Sequence, residues 1–166
     1  MITKSYIEDT LKKLDTLYIN SKSNKNAEYF SKLAIIELCG WIEESFDDIV
    51  YWYAKNNIKD KENIKYYENE IKKNNGFEYN NKIRPLFIKL IGIKNLENIE
   101  NSLNKNGDID TLITLLTNFK KQRDSAAHTH IKNVTRRFDA PSKLYLEWKV
   151  VYNILRKIEH EIRVLR

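Results

Sequence analysis

Four stretches of the chain carry apolar residues at helical spacing. The first covers about Thr3 to Asn20, where Ile7, Leu11, Leu14 and Tyr18 step along one face. A polar run, Ser21 to Asn26, reads as a loop. The second stretch, about Ala27 to Asn56, is long, with the stripe Ile35, Leu38, Ile42, Phe46, Ile49 and Tyr53 opposed by Glu37, Glu44 and Asp48. Gly40 lies inside this helix at a cost of about 1 kcal/mol against Ala, which a close helix–helix approach would offset. The third begins after Asp108 or Asp110, either of which can accept first-turn N–H groups. It buries Leu112, Leu115, Leu116 and Phe119 and runs on to His128. The fourth begins near Pro141 and repeats by fours and threes through Leu144, Trp148, Val151, Leu155, Ile158, Ile162 and Leu165.

Between the second and third stretches the pattern weakens. Residues 56–82 are rich in Lys, Asn, Glu and Tyr, and read as a polar excursion or a short helix with loops. Pro85 opens a short helix through Leu86, Phe87, Leu90 and Ile91 that stops at Gly92. Another short helix covers about Leu96 to Leu103, before the turn Asn106-Gly107. The expectation is an all-α fold, a four-helix bundle with additional short helices, forming a single domain over 1–166.

Composition narrows this further. The 166 residues are 42% hydrophobic and 31% charged, too apolar for a disordered chain and too charged for a membrane protein. Only 4 Gly and 2 Pro argue against turn-dense β architectures. With 29 Lys+Arg against 23 Asp+Glu, the net charge of +6 permits a polyanionic partner without demanding one. The single Cys39 excludes an internal disulfide, and the apolar run Leu33 to Ile42 is broken by Glu37. A soluble, cytoplasmic protein without a membrane contact is expected.

No phosphate-binding Gly-rich loop, nucleophile elbow or Cys/His zinc pattern is present in the sequence. The pairs Glu43-Glu44 and Asp47-Asp48 read as the solvated face of the second helix or a contact for a basic partner. One segment concentrates the reactive side chains. From Phe119 to Arg137 there are six basic residues and one acidic one, and His128 and His130 are two of the chain's three histidines. On a helix Asp124 and His128 share a face, so the carboxylate can fix the imidazole tautomer. Arg123 points about 140° away from His128 at about 100° per residue, so its guanidinium would reach a phosphate by bending or by serving a second subunit. RNA supplies its own nucleophile, the 2′-hydroxyl. An imidazole with a pKa near about 6.5 can move the proton, and a guanidinium can stabilise the charged phosphorane. That chemistry needs no metal ion and no cofactor. A metal held by Asp124, His128 and His130 is a remote third reading, because no further histidine lies nearby in sequence.

The order Arg123-Asp124-x-x-Ala127-His128 at the end of the third long helix, followed by a fourth amphipathic helix, resembles the HEPN superfamily. Arg123 matches the family's arginine, Asp124 its polar follower and His128 its histidine; the stretch Leu33 to Phe46 is similar to the long second helix of RiboL-PSP-type HEPN domains. The likeness runs from about Ala27 onward, and only the short motif is specific. It implies a helical bundle that pairs as a homodimer with two motif copies facing one cleft. It also implies a metal-independent endoribonuclease of a toxin–antitoxin or phage-defence system, with an antitoxin or defence protein as a further partner. Asp124 stands where asparagine is common, and His130 where some members carry a modifiable tyrosine.

On this reading His128 is the general acid/base, Arg123 the transition-state clamp and Asp124 the orienting group. Lys120, Lys121, His130, Lys132, Arg136 and Arg137 would bind RNA. The alternative is a catalytically inactive HEPN-like nucleotide- or protein-binding module. Such a module would use the acidic side of the second helix, or Tyr66, Tyr67, Phe77 and Tyr79, to hold its partner.

Overall fold

The structure is a computed structural model that describes residues 2–127 and 137–165. Among the described residues there are seven α-helices and no strand. They are α1 (Ser5–Ile19), α2 (Asn24–Asn57), α3 (Lys61–Lys73), α4 (Arg84–Ile91), α5 (Ile93–Asn104), α6 (Asp108–Ala127) and α7 (Pro141–Val164). A π-helical turn, Tyr79–Ile83, precedes α4. The fold is all-α, and no described helix is long and apolar enough to cross a membrane.

The four periodic stretches form the long helices α1, α2, α6 and α7. Helix α2 is the central element: it packs against α1, α6 and α7, and α7 in turn touches α1 and α6. Each stripe points inward as its spacing dictates. Ile7, Leu11 and Leu14 of α1 are buried, as are Ile35, Leu38, Ile42, Phe46 and Ile49 of α2. The α7 stripe from Leu144 to Ile162 is buried without a gap. Trp41 and Trp148 meet edge to face at 6.0 Å where α2 and α7 pack, and Trp41 donates its indole N–H to the carbonyl of Thr3 at 2.7 Å. That bond anchors the chain ahead of α1 to the bundle.

Three local expectations are corrected. Helix α2 begins inside the polar run, at Asn24, because Ser23 adopts extended backbone and its hydroxyl accepts the N–H of Asn26. Asp108 and Asp110 lie within the first turn of α6, where they favour the helix dipole, and do not precede it. Gly40 makes no close helix contact. It is exposed, and outside the helix's own backbone nothing lies within 4 Å of the position a Cβ would take.

The polar excursion contains α3, capped by Asp60 accepting the N–H groups of Glu62 and Asn63. None of its residues is fully buried; Tyr67 ties it down by donating its hydroxyl to the Lys89 carbonyl at 2.6 Å. Of the four aromatics in the excursion only Tyr66 is well exposed. Phe77 and Tyr79 are core residues, which removes them as a docking surface. Gly92 takes φ 79° between α4 and α5, a backbone conformation that other residues adopt at a cost.

Candidate functional site

Arg123 sits in the penultimate turn of α6, on the side that faces α2. Its guanidinium donates from Nη1 to Glu43 Oε1 at 2.8 Å, and its Cζ lies 5.6 Å from the centre of the Phe77 ring. Three distant parts of the chain therefore meet here: α6, the middle of α2, and the segment after α3. Arg123 keeps 35% of its side chain exposed and Glu43 keeps 33%, so water reaches the pair.

Asp124 lies beside it. Its Oδ2 accepts from Lys120 Nζ at 3.0 Å, and its Oδ1 is 3.6 Å from Arg123 Nε. The hydrogen bond from Lys120, aided by the Lys120 and Arg123 charges, holds the Asp124 carboxyl below its ordinary range, and Lys120 is raised in return. The described partners of Asp124 are thus two cations. Lys121 and Arg137 are exposed. The expected catalytic His128 and the expected RNA contacts His130, Lys132 and Arg136 lie outside the described residues.

The chain on either side of residues 128–136 is bridged. Gln122 in α6 donates its amide N–H to Asp139 Oδ2 at 2.7 Å and accepts the Asp139 backbone N–H at 3.0 Å. Two reciprocal bonds fix the entry to α7 beside the last turns of α6. Gln122 and Asp139 carry no mark in the sequence, and Glu43 and Phe77, read there as part of an acidic face and as a docking aromatic, are instead neighbours of Arg123. Glu43 and Arg123 are 80 residues apart, and no periodic pattern marks such a pair.

Beneath the ion pair lies Cys39, fully buried, with its Sγ 3.8 Å from the Phe119 carbonyl. Burial pushes its thiol well above its ordinary value, which leaves it unreactive. Further along α2, Asp47 faces a groove shared with Glu44, Asp48, Tyr51, Glu68, Ile71 and Lys72. Burial, with the charges of Glu44, Glu43 and Asp48, raises its carboxyl to about 7. No group of three metal-ligating side chains that could hold an ion occurs among the described residues.

The chemistry available at Arg123 follows from its exposure. A guanidinium between two partly solvated carboxylates and an aromatic ring can exchange one carboxylate for another planar oxyanion, such as a phosphate. Compared with known proteins, the chain matches no family model, no curated relative and no solved structure.

Proposed function

We propose that the chain is a HEPN-type endoribonuclease of a toxin–antitoxin or phage-defence system, which cleaves RNA by attack of the 2′-hydroxyl on the adjacent phosphate. The observation that carries the reading is the partly solvated Arg123 guanidinium at the end of α6, immediately ahead of Asp124 and the His128 position. Arg123 stabilises the negative charge that builds on the phosphorane, and His128 transfers the proton. Lys120 and Lys121 are positioned on the same helix to attract the backbone. The homodimer that the resemblance implies would let each copy supply one group to the other's site.

A second reading, an inactive nucleotide- or protein-binding module, is favoured by the Glu43 contact. Glu43 and Asp124 place two carboxylates where a phosphate oxygen has to approach Arg123. One assay separates them. Incubated with single-stranded RNA in EDTA, the nuclease yields fragments, and His128→Ala with wild-type helicity yields none. Intact RNA with the wild-type protein, or undiminished cleavage by His128→Ala, overturns the nuclease reading.

A further inference from the structure

An open groove of about 510 Å³ runs where the start of α1 meets α2. Tyr6 lines it from α1, and Ile36, Glu37, Gly40, Trp41 and Glu44 line it from α2. Glu37 and Glu44 are seven residues apart, so they project from one side of the helix about 10 Å from each other along its axis. Gly40 and Trp41 lie between them. The Trp41 indole is fixed in place by its N–H bond to the Thr3 carbonyl and its edge-to-face contact with Trp148. Tyr6 donates its hydroxyl to Glu37 Oε2 at 2.9 Å, and Glu37 Oε1 makes no hydrogen bond among the described residues.

Charge sets the first requirement on a ligand. No lysine or arginine lines the groove, and neither Glu37 nor Glu44 has an ion-pair partner among the described residues. Yet the chain carries a net charge of +6, and Glu8, Asp9, Glu28 and Glu70 each hold a lysine. The groove therefore suits a cation. A metal ion fits poorly, because carboxylates two turns apart do not converge on one ion and no group of three metal-ligating side chains occurs among the described residues. The separation asks instead for two positive charges on one molecule, and the apolar wall of Ile36 and Trp41 asks for hydrocarbon between them. The Tyr6 and Trp41 rings attract ammonium groups as well. Gly40 weakens the helix relative to alanine, and nothing lies within 4 Å of the position a Cβ would take. A ligand lying against the bare backbone accounts for that glycine.

We propose that this groove binds a linear aliphatic polyamine, with one ammonium on Glu37 Oε1, another on Glu44, and the alkyl chain crossing Gly40 against Trp41. The site stands apart from the RNA-cleavage reading, and its test leaves that reading untouched.

Titration calorimetry with spermidine at low salt tests it. Saturable binding of one molecule per chain is expected, with much weaker binding of 1,2-diaminoethane, which is too short to reach both carboxylates, and of magnesium ion. Glu37→Gln and Glu44→Gln are each expected to weaken spermidine binding about tenfold. Gly40→Leu, at an exposed position, is expected to abolish binding while raising the thermal midpoint of unfolding. Glu97→Gln, on α5 and outside the groove, is expected to bind as the wild type does. No saturable binding, equal affinity for 1,2-diaminoethane or magnesium ion, wild-type affinity in Gly40→Leu, or equal weakening by Glu97→Gln overturns the proposal.

Discussion

Two arginine clusters in this molecule share one design and differ in how far the carboxylate is buried. In each, a guanidinium pairs with a carboxylate and lies over an aromatic ring. At the end of α7, Arg163 donates to Glu159 at 2.8 Å above the Trp52 ring at 4.2 Å, and Arg156 adds a second bond at 2.6 Å. The Glu159 side chain is 5% exposed. At the end of α6, Arg123 meets Glu43 above Phe77, and each partner keeps about a third of its surface in solvent. A buried carboxylate cannot lose its cations without being stranded, whereas a partly solvated one can give way to water or an incoming anion. The Glu159 carboxylate is sealed by the fold, and the Glu43 carboxylate is open to solvent.

The largest expected effect comes from breaking the buried cluster. Glu159→Ala leaves two partly solvated arginines without their shared carboxylate, and a loss of about 1.5–3 kcal/mol in denaturant unfolding is predicted. A loss below about 1 kcal/mol would make the two clusters equivalent and remove the contrast.

Asp47 gives the next effect, and its sign follows from linkage. The folded protein holds this proton up to about pH 7, while the unfolded chain releases it near about pH 3.9. Folded stability from this group therefore declines as pH rises from about 4 through 7. Asp47→Asn should stabilise the chain by roughly 1 kcal/mol at pH 8, solvent screening included, and by nothing measurable at pH 4. A constant difference across that range would place the cause elsewhere. The site of this strain is the acidic side of α2, adjacent to the open cluster.

The smallest effect on stability belongs to Glu43. Glu43→Gln removes a pair that is partly solvated, so unfolding should change by less than about 1 kcal/mol. The same substitution frees Arg123 from a competing carboxylate, and RNA binding should tighten, most clearly at low salt. Weaker binding by Glu43→Gln would mean that Glu43 positions the guanidinium and does not compete for it.

What could be read from the sequence divides along the same line as the clusters. The α7 stripe from Leu144 to Ile162 was legible because burial demands an unbroken period, and every member is in the core. The four long helices and the short pair α4 and α5 followed from the same rule. Helix α3 was ambiguous because few of its apolar residues, Tyr67 and Ile71, pack against the core, too few to impose a period on a polar sequence. Arg123 and Asp124 were identified by motif, but their partners Glu43 and Phe77 come from elsewhere in the chain and carry no local mark. Gly40 was misread for a related reason: a glycine in an apolar helix looks the same in sequence whether or not another helix packs on it.

The chemistry proposed at Arg123 and His128 requires the 2′-hydroxyl of the nucleotide being cut. The most direct test is a short RNA with one defined cleavage position, compared with the same strand carrying a single 2′-deoxynucleotide there. Cleavage of the first to a 2′,3′-cyclic phosphate end in EDTA is expected, with no cleavage of the second at that position. Equal cutting of both strands, or of neither, would contradict the proposed chemistry.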